Sequence, residues 1–474
     1  MESNGLWMLA AAAMVMLASG LPAWVVLTGV ALAFAAIGAA AGEFAPELLA
    51  ALDSRLVGLL ENDLLQALPL YVLMGSLVNR LPLAETLFRA MARALSWTGC
   101  GRPLAGLGLG ILLAPMSGSV GASASMLTRT VYPRLRAGAC GGDERNLALV
   151  CMSSTLGVVV PPSLVLILLG DAMLRAHTEA VNATAMAGRI INTQDVFHAA
   201  LVPAAILLAS CIAIVWAAHR KDRAPETQPV ETGEWAAALG ALGLIVGLLA
   251  GVALGYLYAV EAAATGGMAL VAYGLATRTL TRAVLADALE DTLAITGAIF
   301  ALLAAATFFT LVQRAFGTDR WLAAAFTQFG ASASVLLAAV LAALALCAFV
   351  LDAFEMIFVV IPLLIPPLLM RVADAAWVAT LTLLILQASF LVPPFGYAVL
   401  MARGRIATRV PTVALTRALL PYLAAQMLVL ALVIVFPGVL WRDESAAAPA
   451  SATPASDEKA REMFEKQLQE NEEK

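Results

Sequence analysis

The sequence predicts an all-α polytopic membrane protein made of two inverted repeats, each carrying a re-entrant hairpin and a discontinuous helix. Three observations predict it. Of 474 residues, 61% are hydrophobic and only 13% charged, against about 25% charged in a soluble domain, and the mean hydropathy is +0.89. No soluble core hides that much apolar surface. Uncharged runs long enough to cross a bilayer recur along the chain, and the unusual breaks in them occur twice, in the same order.

The first run, Leu6–Ala41, has 36 residues without a charge, about 54 Å as helix. That exceeds a hydrocarbon core of about 30 Å, and Gly20-Leu21-Pro22 divides it into two spans. No basic residue precedes Leu6, so the start does not read as a secretory signal peptide. Residues 45–63 and 81–97 read as amphipathic interfacial helices. Pro103–Thr128 carries Pro115-Met116-Ser117-Gly118-Ser119-Val120-Gly121 at its middle, which leaves arms too short to cross and predicts a re-entrant hairpin. Trp321–Met370 repeats this with Leu351-Asp352-Ala353-Phe354-Glu355 at its break. Asn146–Gly170 is interrupted by Ser153-Ser154-Thr155-Leu156-Gly157 and then Pro161-Pro162. Ala375–Ala402 is interrupted by Gln387-Ala388-Ser389 and then Pro393-Pro394-Phe395-Gly396. Proline removes a donor and clashes with the preceding turn, so both helices are expected to unwind within the membrane.

These features pair at nearly constant offset. Leu77-Val78-Asn79-Arg80 returns as Leu311-Val312-Gln313-Arg314, 234 residues on. Pro161-Pro162 returns as Pro393-Pro394 after 232, and Ser117 and Asp352 are 235 apart. The internal repeat is the strongest architectural signal. The expected divisions are 1–100 (spans and arm helices), 101–218 (first hairpin and broken helix), 219–320 (central spans), 321–402 (second hairpin and broken helix), 403–442 (last span) and 443–474 (tail). Placing 80–102, 129–145, 219–223, 278–282 and 403–417 in the cytoplasm puts 17 Lys/Arg inside and 6 outside before the tail.

The net charge of -5 resides entirely in the tail, where nine acidic and four basic residues follow Arg442. The neutral body excludes nucleic-acid binding, which needs a basic footprint. Five scattered cysteines with no C-x-x-C pair give neither a disulfide framework nor a zinc site.

Unwound helices free carbonyl oxygens for a cation, and half-helix N-termini offer N–H groups to an anion. Hard cations such as sodium, or a proton relay, suit such sites better than soft metals. Asp352 stands out as an intramembrane carboxylate, and two roles remain open: coupling-ion ligand or helix cap. Glu355 reads as a capping or interfacial partner. Ser117 and Ser119 lie where a ligand would, or are small residues for close packing, the reading preferred for Ser123 and Ser125. The chain is not expected to be an enzyme: no histidine lies near a break, which argues against an intramembrane protease.

The stretches Ser117-Gly118-Ser119-Val120-Gly121-Ala122-Ser123, Ser154 to Ser163 through Pro161-Pro162, Phe349 to Glu355, and Gln387 to Gly396 together resemble the large membrane subunit of tripartite ATP-independent periplasmic (TRAP) transporters. The resemblance implies an elevator-type ion-transporter fold in the bacterial inner membrane. It implies a sodium-coupled importer of a small organic acid (a 2-oxo acid, lactate or related carboxylate), supplied by a periplasmic binding protein and scaffolded by a small four-helix membrane subunit. No tightly bound cofactor is implied, with Na+ as coupling ion. Carried over by motif, one sodium site lies between Ser117/Ser119 and an unwound Thr155–Gly157, the other between Asp352 and an unwound Ser389–Pro393. Substrate is reached by Ser119, Thr155, Ser389 and Gln387. Val392 stands where many relatives have Thr. A self-sufficient sodium/anion symporter of the dicarboxylate or citrate carrier type is the alternative, since it shares the two-hairpin plan.

Overall fold

The computed structural model describes residues 4–440 except 43–49, 62, 116–118, 139–140, 161–162, 185–190, 221–231, 319–320, 322–323, 325–331, 350 and 407. Ser117, Pro161, Pro162 and the tail 443–474 therefore lie outside the described residues. Within them the chain is helical, with no strand.

Helices α1 (Asn4–Ser19) and α2 (Ala23–Ala40) are separated at the expected Gly20–Pro22 break. The arm helix α3 (Ala51–Leu60) leads into α4 (Asp63–Arg80) through a bend of 48°. Helix α5 (Leu83–Ala94) buries Leu83, Leu87 and Phe88, and it packs on α6 (Gly101–Leu113). With α7 (Val120–Thr130), α6 forms the first hairpin. These arms of 13 and 11 residues reach only about 20 and 16 Å, short of the bilayer.

After the short α8 (Tyr132–Ala137), α9 (Asp143–Val159) and α10 (Leu164–Thr184) run on as one span interrupted at 160–163. This is the axis of the body: 94% of its most apolar window is buried, against 28–50% for the other spans. The periphery comprises α11 (Thr193–His219), α12 (Thr232–Ala253) and α13 (Ala259–Ala276). The 34-residue α14 (Arg282–Ala315) follows.

The second repeat then mirrors the first. Helices α15 (Ala333–Cys347) and α16 (Ala353–Leu369) form the second hairpin. A π turn spans Met356–Val360 just before Pro362, whose missing N–H cannot close a normal helical turn. Helices α17 (Ala375–Ser389) and α18 (Tyr397–Arg403) form the second broken helix, and α19 (Thr412–Val435) is the last span. Among the described residues seven helices are long and apolar enough to cross a membrane, or eight with the bent α3–α4 pair as one.

By the 234-residue offset, α14 is the counterpart of α3 and α4 joined. The two copies pack antiparallel. Arg80, at the C-terminal end of α4, pairs with Asp287 at 2.9 Å and Asp291 at 2.5 Å near the start of α14. Arg55 of α3 lies in electrostatic range of Arg314 at the far end of α14.

Polar contacts also gather the arginine-rich segments on one face. Arg89 pairs with Glu234 at 2.6 Å and Arg134 with Glu85 at 2.5 Å. Arg136 donates to Thr408 Oγ1 at 3.1 Å, and Arg145 to the Ala218 carbonyl at 3.2 Å. The opposite face carries the Arg314–Glu179 pair at 2.7 Å.

Candidate functional site

The first hairpin turns at Ala114–Ser119. Ser119 is the N-cap of α7, its Oγ accepting from the Ala122 N–H at 3.1 Å, which meets a donor that the helix start leaves unpaired. Ser123, one turn in, donates to the Ser119 carbonyl at 3.1 Å and lies 3.4 Å from the Ala114 carbonyl. One buried hydroxyl thus bridges the two arms.

Helix α9 lies directly against this tip. A Cβ on Gly157 would stand 2.5 Å from the Ala114 carbonyl oxygen, so only glycine allows the approach. Between tip and helix is a cavity of about 10 Å³ lined by Ala114, Ser119, Ser123, Ser154 and Gly157, among others. That is the size of a single water or small ion. Its donors are hydroxyl and carbonyl oxygens, the ligand set of a hard cation.

Here the structure corrects the expected unwinding. Thr155 and Gly157 are inside α9, which stays helical to Val159 with Val160 as its extended C-cap. Thr155 is fully buried and its Oγ1 donates to the Met152 carbonyl at 2.9 Å. Ser154, rather than Thr155, lines the cavity. Helical geometry is the reason: positions 154, 157 and 158 share one face, while 155 is turned about 100° away. The run Ser153-Ser154-Thr155 announces hydroxyls, and the helix phase selects among them. Past the break, Ser163 caps α10 by accepting from the Leu166 N–H at 3.0 Å.

At the second hairpin, Asp352 is the N-cap of α16. Its backbone N–H donates to Glu355 Oε2 at 3.2 Å, one half of a capping box. The other half is looser, and Asp352 Oδ1 is buried with no hydrogen-bond partner among the described residues. The cap role and an available carboxylate oxygen therefore coexist in one residue.

The second unwound segment is 390–396. Ser389 is the last helical residue of α17, its Oγ donating to the Ile385 carbonyl at 2.9 Å, so unwinding starts one residue later than expected. Pro393 is within the unwound segment, joined to Pro394 by a cis bond. Two residues before Ser389, Gln387 is fully buried, and neither its Oε1 nor its Nε2 has a partner among the described residues. A buried amide with no partner on either end calls for a ligand, ion or water.

Tyr397 joins the two halves. It lies in electrostatic range of Asp352 and Glu355, and a Cβ on Gly121 would stand 2.9 Å from its hydroxyl. Both hairpin tips therefore converge on the start of α18. Among the described residues no three His, Cys, Asp or Glu side chains cluster as a metal site.

Comparison with known proteins agrees with this architecture. The profile of the family "Tripartite ATP-independent periplasmic transporter, DctM component" matches residues 10–439. The sialic acid TRAP transporter permease protein SiaT of Haemophilus influenzae is 24% identical over 82% of this chain, which spans 61% of that relative's length. The C4-dicarboxylate TRAP transporter large permease protein DctM of Pseudomonas aeruginosa is 23% identical, covering 84% of this chain and 90% of its own. The sialic acid TRAP transporter large permease protein SiaM of Vibrio cholerae is 26% identical over 89% and 94%. Among solved structures, the Alcanivorax borkumensis YdaH transporter superposes with a TM-score of 0.57 at 17% identity, covering 83% of this chain and 89% of its own. With paired hairpins, paired broken helices and a family match over nearly its whole described length, the chain belongs to the DctM-component family of tripartite ATP-independent periplasmic transporters and is a multi-pass inner-membrane protein.

Proposed function

We propose that this chain is the large permease of a sodium-coupled secondary transporter that imports a small organic acid delivered by a periplasmic binding protein. It works with a small four-helix membrane subunit as scaffold. The observation that carries the reading is the convergence of both hairpin tips on Tyr397, with Asp352 Oδ1 at one tip buried and unpartnered among the described residues. Similar proteins are named for sialic acid and C4-dicarboxylate, both carboxylates, which supports an organic acid as cargo.

In this reading one sodium ion is held between Ser119 (with Ser117) and α9, where Ser154 and Gly157 line the ion-sized cavity. Thr155 supports that site from within α9. A second ion is held by Asp352 with carbonyls of the Ser389–Pro393 segment. Gln387, Ser389, Ser119 and Thr155 are the substrate-facing set. Asp352 is the tip carboxylate with an oxygen left unpartnered among the described residues, so it balances a cation's charge where carbonyls alone cannot. The hairpin-bearing body then moves as an elevator against α4 and α14.

The test is reconstitution in proteoliposomes. Carboxylate uptake that needs an inward sodium gradient, the small subunit and the binding protein is the expected result. Uptake by this chain alone replaces the reading with a self-sufficient symporter, and uptake indifferent to sodium removes the coupling.

A further inference from the structure

Two cavities occupy equivalent places in the two repeats. The first, about 320 Å³, is lined by Ser76, Arg80, Ser125, Arg129, Asp291 and Arg405, among others. It sits between α7 of the first hairpin and the ends of α4 and α14, on the arginine-rich face. The second, about 490 Å³, is lined by Arg55, Asp171, Arg175, Thr310, Arg314 and Pro362, among others. It sits on the opposite face, between α16 of the second hairpin and α3 and α14. Ser76 and Arg80 correspond to Thr310 and Arg314 at the same offset of 234. The cavities are therefore repeat mates.

Their charges are not equivalent. The second is lined by three arginines, Arg55, Arg175 and Arg314, against two carboxylates, Asp171 and Glu179; the first is lined by Arg80, Arg129 and Arg405 against one, Asp291. Ten residues past the N-cap of each hairpin arm, α7 lines the first cavity with Arg129 where α16 lines the second with Pro362. In the second cavity Asp171 holds Arg175 at 3.0 Å and Glu179 holds Arg314 at 2.7 Å, leaving Arg55 as its one cation outside an ion pair among the described residues. In the first, Asp287 and Asp291 engage Arg80. The guanidinium groups of Arg129 and Arg405 have no ion pair or hydrogen bond among the described residues. Both side chains are solvent-exposed, and two uncommitted planar forks lining one cavity match a carboxylate, which accepts paired N–H bonds from each. Arg129 is ten residues from Ser119 along the chain, about 15 Å on a helix, so the pocket lies one hairpin arm from the tip.

We propose that the first cavity is a second carboxylate subsite, held by Arg129 and Arg405, which the transported anion occupies on the arginine-rich face after leaving the hairpin tips. This rests on the proposed transport of an organic acid. The mirror cavity, with Pro362 in place of Arg129 and two of its three arginines held by Asp171 and Glu179, lacks the equivalent site. Transport is then asymmetric in its anion contacts although the fold repeats.

The test measures occupancy without turnover. In the assembled transporter, with Cys140 and Cys347 replaced by serine, the S125C variant is labelled with a thiol reagent. Labelling is repeated in zwitterionic nanodiscs over a range of pyruvate, lactate, succinate or sialic acid. Expected is protection by the carboxylate that proteoliposomes take up, with the protecting concentration raised about tenfold or more by R129Q combined with R405Q. Unchanged protection in the double variant overturns the subsite, as does protection that appears only with anionic phospholipid, which assigns the cavity to a lipid headgroup. Uptake is scored separately with both arginines intact. If none of the four acids is taken up, the proposed function fails, while arginine-dependent protection still upholds a carboxylate site. If uptake is normal and no acid protects S125C, the subsite alone fails.

Discussion

Glu355 accepts the backbone N–H of Asp352 at 3.2 Å, while Asp352 Oδ1, one turn earlier, is buried with no partner among the described residues. The two carboxylates divide the work of a hairpin tip. Glu355 meets the free donor at the helix start, and that leaves an oxygen of Asp352 available to a cation.

Replacing Asp352 by Asn keeps the shape of the tip and removes its charge. Sodium-dependent uptake should fall at least about 100-fold if a carboxylate supplies the ion's charge balance. Expression and thermal stability should stay near wild type. Sodium dependence that survives in D352N reduces Asp352 to a helix cap.

Glu355→Gln tests the other half of the pair. Its amide oxygen still accepts the Asp352 N–H, so stability should change by only about 0.5–1 kcal/mol. Sodium activation should shift far less than in D352N. Equal losses in the two variants, measured by uptake against sodium concentration, would show that both carboxylates bind the ion.

Gly157→Ala places a methyl 2.5 Å from the Ala114 carbonyl oxygen. Backbone cannot step aside as a side chain can, so the hairpin tip must separate from α9, at about 1–3 kcal/mol. A lowered melting temperature together with weaker sodium activation is expected. An unperturbed melting curve with normal uptake would mean that this contact gives way freely.

Gln387→Leu removes a buried amide that has no partner among the described residues. Stability should hold or rise, because an unsatisfied polar group costs about 1–3 kcal/mol, while uptake should drop sharply. A destabilised but active variant would instead make Gln387 a structural residue.

Ser154→Ala and Thr155→Ala separate adjacent hydroxyls by helix phase. Both hydroxyls donate to carbonyls of their own helix, Ser154 to Cys151 at 2.7 Å and Thr155 to Met152 at 2.9 Å, but only Ser154 lines the ion-sized cavity, where its oxygen can still accept a cation. The S154A variant should raise the sodium concentration for half-maximal uptake several-fold more than T155A, about 1 kcal/mol of ligand contact. The reverse order would return Thr155 to the ion site.

Much of the architecture is legible in one dimension because lipid imposes a strong rule on sequence. Every backbone donor in hydrocarbon must be satisfied, so breaks such as Ala114–Ser119 and Leu351–Asp352 stand out against uncharged runs. The offset linking Arg80 to Arg314 reveals the repeat, and α1, α2, both hairpins and both broken helices follow from it. The limits of unwinding were not legible. Proline disfavours helix at the residue just before it, but how much of the preceding helix survives depends on packing. Burial of Ser153, Ser154 and Thr155 against the neighbouring helices keeps α9 intact to Val159.

By itself, then, the sequence determined the membrane setting, the duplicated hairpin plan and Asp352 as the tip carboxylate, since those depend on composition, local breaks and spacing. Tertiary structure decided which oxygens share a space. It selected Ser154 over Thr155 by helix phase, set Gly157 against Ala114, and joined both tips at Tyr397. It also brought Arg129 of one hairpin to Arg405, 276 positions away. No local pattern encodes such meetings, because they arise only when antiparallel copies pack and superimpose distant surfaces of the chain.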